Sequence, residues 1–186
     1  LENKDLNEKI INKIIKPTLK GLKSFKTSYK GFLYAGLMII NNEPFLIEYN
    51  VRMGDPECQT ILPKLNNDFF EILNSCINSE LNKIDFNWSN DKSLCIVLCS
   101  KGYPDKFKNN IEIPNFENIF LKEGQFIFHA GTIRKEKRIY SNGGRVLNFV
   151  VKSGDFKICR TSAIELINKI NWEGGFFRKD IGYKVI

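Results

Sequence analysis

The sequence predicts an α+β protein of mainly antiparallel strands with helices, arranged in two parts. Three observations carry that expectation. Apolar runs of strand length recur at residues 32–40, 45–52 and 93–100. Helical spacing of apolar residues appears at 5–15, 68–81 and 155–170. A polar, turn-rich stretch, DFNWSNDK at 85–92, separates a first region, 1–88, from a second, 92–186.

The elements follow in order. Leu6, Ile10, Ile11, Ile14 and Ile15 share a helical face; Pro17 is expected to interrupt that helix and Gly21 to close it. SFKTSYK (24–30) reads as loop. FLYAGLMII (32–40) is continuous and apolar, the pattern of a fully buried strand. NNEP (41–44) is a turn. FLIEYNVR (45–52) alternates, with Phe45, Ile47, Tyr49 and Val51 on one face and Leu46, Glu48, Asn50 and Arg52 on the other. The two runs make an antiparallel hairpin. A hairpin alone cannot cover its own apolar side chains, so the first segment by itself should expose apolar surface.

Phe69, Phe70, Leu73, Cys76, Ile77 and Leu81 line a second helix, with Asp68 near its start. In the second region SLCIVLCS (93–100) is a strand ended by GYP (102–104). QFIFHAGTIRK (125–135) and RVLNFVVKSG (145–154) are two further strands, flanking SNGG at 141–144. Asp155 caps a helix through Ile170, with Cys159, Ala163, Leu166, Ile167 and Ile170 inward. The tail, WEGGFFRKDIGYKVI, is aromatic and basic.

Composition narrows the class. Of 186 residues, 42% are hydrophobic and 26% charged, the balance of a globular chain. No apolar run approaches a membrane span, and no basic-then-apolar signal peptide is present. Cys58, Cys76, Cys95, Cys99 and Cys159 form no CxxC pair, and there is one histidine, so zinc has few ligands to draw on. Free thiols in a reducing cytoplasm are expected, with Cys95 and Cys99 as core residues. The net charge of +7 favours anionic partners, but the lysines are scattered and form no dense basic block.

The chemistry concentrates in IEYNVRMGDPECQ (47–59). Glu48 and Asn50, two apart on a strand, emerge on one face. A carboxylate beside a carboxamide oxygen suits Mg²⁺, which takes one or two protein oxygens and completes its shell with water and phosphate. Arg52 can pair with a phosphate or carboxylate in fork geometry. A solvated polar strand face would also account for so short a pattern. The Gly54-Asp55-Pro56 turn and Glu57 add more charge and constrained backbone than such a face needs.

Elsewhere both readings stay open. NGGR (142–145) is either an anion cradle with Arg145 or a turn that needs glycine. Arg178 and Lys179 are either phosphate contacts or solvated charges. His129, in an apolar strand, reads as a hydrogen-bonded structural residue.

LYAGLM, IEYNVRMGDPECQ, ILP, GYP, FHAGT, NGGRVL and FRKDIG occur in this order over essentially the whole chain. Together they closely resemble the C-terminal portion of the phosphoribosylamine–glycine ligases, which have the ATP-grasp fold. The resemblance implies the C-terminal part of an ATP-grasp domain, followed by a small α+β domain similar to the C-terminal domain of biotin carboxylase. It implies ATP-dependent joining of glycine to 5-phosphoribosylamine through a glycyl phosphate, in purine biosynthesis in the cytoplasm. It also implies Glu48 and Asn50 as ligands of Mg²⁺ or Mn²⁺, and Arg52 and Asp55 as catalytic residues. Pro56, Glu57, Arg145, Arg178 and Lys179 would contact substrate.

By the same resemblance, the regions that grip ATP from the other side would precede residue 5, and residues 1–44 hold no Gly-rich phosphate loop. The chain alone is therefore expected to be inactive and to need those regions as partner. Another ATP-grasp carboxylase or ligase is the alternative among enzymes. A basic nucleic-acid module is the alternative outside them, weakened because most of the fifteen Phe fall at core-facing positions.

Overall fold

The computed structural model describes residues 3–25 and 29–186. Two compact units result: one holds the described residues up to Gly54 together with Asn67–Asp85, the other Asp55–Asn66 and Phe86–Ile186. The expected loop at 24–30 lies partly outside the described residues.

The first unit begins with helix α1 (Lys4–Ile10), which passes through a π-turn (Ile11–Ile15) into α2 (Lys16–Ser24). Asn3 caps it by accepting the Asp5 N–H at 3.0 Å. Pro17 does not break this helix. The N–H of Lys16 reaches back to Ile11 O, the wider π spacing, just ahead of the residue that lacks a donor. Gly21 lies within α2 rather than ending it.

Strands β1 (Tyr34–Ile40) and β2 (Glu43–Asn50) form the expected antiparallel hairpin. Its register shifts between Gly36 and Leu37: Gly36 pairs with Glu48 and Leu37 with Leu46, so Ile47 is an extra residue. The regular alternation expected over 45–52 fails there. Lys13 and Lys9 meet Glu43 at 2.7 and 2.8 Å, and the Tyr49 hydroxyl lies 2.6 Å from Thr18 Oγ1, tying helix to hairpin.

The run at 32–40 is not buried. Met38, Ile39 and Ile40 are exposed, as are Phe45, Leu46 and Ile47 opposite them. Two strands offer two faces, and the helix covers too little of them. Helix α4 (Phe69–Ile77) has the expected Asp68 cap, but it buries Ile72 and leaves Phe70, Leu73 and Ile77 exposed. Phe69 instead stacks on Phe32, ring centres 6.1 Å apart.

The second unit is built on an antiparallel sheet in the order β4 (Gln125–His129), β7 (Arg145–Ser153), β3 (Lys92–Ser100), β8 (Gly175–Phe176). Helix α5 (Phe156–Ile170) packs on one face. Asp155 caps it, and Cys159, Ala163, Leu166, Ile167 and Ile170 are buried, as the spacing predicts. They meet Leu94, Ile96 and Leu98 of β3 and Leu147, Phe149 and Val151 of β7. Side chains of β3 on the other face meet helix α3 (Glu57–Ile61), where Thr60 and Ile61 line a cavity with Cys95.

The segment 55–66, expected with the first region, thus belongs to the second unit. Ser89 donates to Lys64 O at 2.7 Å and Lys152 to Pro63 O at 3.2 Å. The strand expected over 125–135 is two strands, β4 and β5 (Thr132–Lys135), because Ala130 and Gly131 turn back to Val146 O and Arg145 O. A short strand that sequence reading missed, β6 (Arg138–Ser141), pairs with β5.

Lys13 and then Lys9 hold the Glu43 carboxyl down at about 2. A depressed carboxylate stabilises the fold above its unfolded value of 4.5 and loses that contribution as pH falls towards 2. A carboxyl-detected NMR titration should place the Glu43 midpoint near 2. Lys13→Gln with Lys9→Gln should return it towards the ordinary glutamate range.

Candidate functional site

In the first unit, Glu48 and Asn50 end β2. Tyr49 between them points at the helix, so both acidic and amide side chains project from the opposite face. Asn50 Nδ2 donates to Glu48 Oε1 at 3.0 Å, which brings the two groups into contact and leaves Asn50 Oδ1 outside that bond. Gly36 lies opposite, and a Cβ there would come within 3.1 Å of Glu48 Cγ. The donor set, one carboxylate and one amide oxygen on an open face, fits a hard divalent cation. Among the described residues no three His, Cys, Asp or Glu side chains gather into a metal-binding group, so the pair would need oxygens from a ligand. Arg52 does not share the strand with them. The strand ends at Asn50, and Arg52 lies in the following bend with Nη1 donating to Met53 O at 2.9 Å.

In the second unit, Asp55 and Arg145 are brought together across ninety positions of sequence. Arg145 Nη1 donates to Asp55 O at 2.6 Å and to Oδ2 at 3.2 Å, while Nε donates to the Tyr103 hydroxyl at 3.2 Å. Gln59 Nε2 donates to the other carboxylate oxygen at 2.8 Å. The Tyr103 hydroxyl, and next Asp55, favour the charged guanidinium and raise its pKa above the usual arginine value. Tyr103 and Gln59 were not singled out from sequence as site residues. The only signal for Tyr103 was its place in GYP; Gln59 stands one helical turn after Asp55.

The glycines of NGGR serve close packing in this turn. A Cβ on Gly144 would fall 2.1 Å from Tyr103 Cδ2, and one on Gly131 would fall 2.8 Å from Gly143 Cα. Ser100 donates from N to Gly144 O and from Oγ to Gly143 O, both at 2.8 Å. The turn reading of NGGR therefore has direct contacts behind it, and Arg145 points at Asp55.

Pro56 and Glu57 line a cavity of about 350 Å³ with Thr60, Ile61, Leu94, Ile181 and Gly182. The tail after FRKD thus comes beside the start of α3. Arg178 forms a two-pronged pair with Asp180, at 2.6 and 3.1 Å, which raises the arginine pKa and lowers that of the aspartate. Lys179 lines a different cavity, with Trp172 and Phe177, and its carbonyl accepts from Arg160. His129 Nδ1 lies 2.9 Å from Thr132 Oγ1 and its ring leans on Phe116; burial, with Arg134 nearby, lowers its pKa. Burial pushes the Cys95 thiol up to about 12, the state of a packing residue rather than a nucleophile.

Residues 1–58 match the model of the phosphoribosylglycinamide synthetase ATP-grasp (A) domain, and residues 93–184 that of the phosphoribosylglycinamide synthetase C domain. The chain belongs to the phosphoribosylglycinamide synthetase family. Within this synthetase family it is 42% identical over 181 residues to a phosphoribosylamine–glycine ligase of Caldanaerobacter subterraneus, covering 97% of this chain and 42% of that protein. The chloroplastic phosphoribosylamine–glycine ligase of Arabidopsis thaliana is 38% identical, with 98% and 35% covered. The crystal structure of the Thermotoga maritima phosphoribosylamine–glycine ligase superposes with a TM-score of 0.79 at 31% identity, over 98% of this chain and 44% of that one. The synthetase-family chain spans about two fifths of the length of such relatives. Its fold is the family's ATP-grasp part followed by the C domain, and among the described residues no helix is long and apolar enough to cross a membrane.

If the glycines of NGGR are there for packing, Gly144→Ala must displace Tyr103. It should cost about 1–3 kcal/mol in urea unfolding. Arg145→Lys should leave stability nearly unchanged, since an exposed pair contributes little.

Proposed function

We propose that the chain is the C-terminal portion of an ATP-dependent phosphoribosylamine–glycine ligase. The observation that carries this reading is the tandem match of two domain models of one family, in family order, to 1–58 and 93–184. The reaction proposed has two balanced steps. A glycine carboxylate oxygen attacks the γ-phosphorus of ATP, and ADP leaves. The amine of 5-phosphoribosylamine then attacks the glycyl carbonyl carbon, phosphate leaves with the bonding pair, and the amine proton passes to solvent or base. The product is glycinamide ribonucleotide.

The roles follow from chemistry. Glu48 Oε and Asn50 Oδ1 would hold a divalent cation, Mg²⁺ or Mn²⁺, which when bound offsets the charge of the ATP phosphates. Arg52, on a flexible-length side chain beyond the strand, supplies a cation to the phosphoryl group being transferred. Asp55 is paired with Arg145 and Gln59, one on each carboxylate oxygen, and this carboxylate is suited to orienting an ammonium or amine. Pro56 and Glu57 border the substrate pocket beside Asp55, and Arg178 and Lys179 would bind an anionic part of substrate once Arg178 releases Asp180. Residues 1–88 would act as the ATP-grasp part and 92–186 as the C-terminal domain, with α3 contributed to the latter.

The test joins this chain to the upstream part of a relative and measures ATP- and glycine-dependent formation of glycinamide ribonucleotide. Arg52→Ala should lower kcat by about a hundredfold or more, the scale for losing one charge-stabilising donor. Glu48→Gln should raise the Mg²⁺ concentration needed for half-maximal rate. Full activity in both variants would overturn the assignment.

A further inference from the structure

The loop after β3 builds a cavity that none of the roles above uses. It measures about 450 Å³ and is lined by Lys101, Lys106, Phe107, Lys108, Ile111 and Gly174. Three of these six residues are lysines, and none of their ammonium groups forms an ion pair or hydrogen bond among the described residues. Asp105 and Glu173 adjoin the wall in sequence, but neither lines it.

The wall is fixed in place by backbone contacts. Lys101 N donates to Gly174 O at 2.8 Å, which pins one rim to the start of β8. Gly102 has φ +102°, and a Cβ there would lie 2.2 Å from Lys106 O, so the loop closes on itself as only glycine allows. Phe107 meets Tyr103 edge-on, ring centres 6.1 Å apart.

A second observation comes from behind the wall. Trp172 is 8% exposed, and its buried Nε1 has no hydrogen-bond partner. A Cβ on Gly174 would lie 2.8 Å from Nε1 and 3.0 Å from Ile111 Cγ2, so this donor, on a tryptophan that lines the neighbouring cavity, packs against Gly174 of the wall. Buried donors without partners are rare and call for an acceptor.

We propose that this cavity is a binding site for a small phosphomonoester, the phosphate facing Lys101, Lys106 and Lys108 and the carbon skeleton resting on Phe107 and Ile111. Every side-chain polar group identified at the site is a donor, which suits a dianion. The volume is that of a small-molecule pocket rather than of a track for a polymer. The basic tail offers less: the Arg178 guanidinium is already taken on both prongs by Asp180. The ligand could be the phosphoribosyl group of the ligase's own substrate, or a separate phosphorylated metabolite acting as a regulator.

The experiment titrates ribose 5-phosphate into the 186-residue chain, with calorimetry for affinity and NMR for the two indole N–H signals. Saturable binding, weakened at least about tenfold in Lys101→Gln/Lys106→Gln/Lys108→Gln, supports the site. So does a shift of the Trp172 indole signal with Trp88 unmoved. If circular dichroism shows that the triple variant is unfolded, Lys106→Gln alone and the Trp172 signal decide in the same sense. Absence of saturable binding overturns the proposal. It is also overturned by equal affinity in a folded variant, or by an oligonucleotide that binds there without competition from ribose 5-phosphate.

The source is read in the joined, active protein. A raised KM for phosphoribosylamine in the lysine variant marks the substrate's phosphate. An unchanged KM, with loss of a ribose 5-phosphate effect on rate, marks a regulator. Failure here leaves the ligase reading standing, since that rests on other residues.

Discussion

Strand β7 is the constraint on which the second unit depends. It pairs with β3 on one edge and β4 on the other, and Val146 through Val150 are buried without remainder. A strand buried on both faces and both edges has one register, because a one-residue slip would exchange Leu147 and Phe149 with Asn148 and Val150. That register fixes Arg145 at the strand's first position. From there the guanidinium reaches Asp55 and Tyr103, so the Gly-Asp-Pro turn and the GYP turn are both referred to the most deeply buried strand of the unit.

The turn leading into β7 has to be thin for this to work. Gly131 and Gly143 approach backbone to backbone, and Gly144 lies against the Tyr103 ring. Side chains at those places would push the two loops apart and move Arg145 away from Asp55. The same Tyr103 ring meets Phe107 edge-on, so the lysine cavity and the Asp55 turn share one aromatic support. On the first unit the arrangement is looser. The hairpin bearing Glu48 and Asn50 is held to the helix by surface pairs and one tyrosine, with much of its apolar surface exposed.

Legibility followed the range of the interactions concerned. Helix α5 was readable from end to end, because its cap at Asp155 and its buried stripe are both set within the local span from Asp155 to Ile170. Glu48 and Asn50 were readable as neighbours, since the strand period alone puts them on one face. Arg52 was misplaced because the end of a strand is decided by where its partner stops pairing. The bulge at Ile47 and strand β6 were missed for the same reason. Pro17 looked like a helix stop, and a π-turn absorbed it. Ile72 rather than Phe70 became the buried residue of α4, a choice made by what packs against the helix.

The sequence by itself determined the family motifs, the helix caps, the hairpin and the pairing of a carboxylate with an amide at 48 and 50. Each of these depends on neighbours a few positions away. Only the tertiary structure decided that 55–66 belongs with the second unit and that Arg145 holds Asp55 through a bond spanning ninety residues. It also decided that the glycines of NGGR pack against Tyr103 and Gly131, and that three scattered lysines line one cavity. Contacts of that kind carry no periodicity and no local composition signal. They come into being only when the sheet sets distant turns side by side.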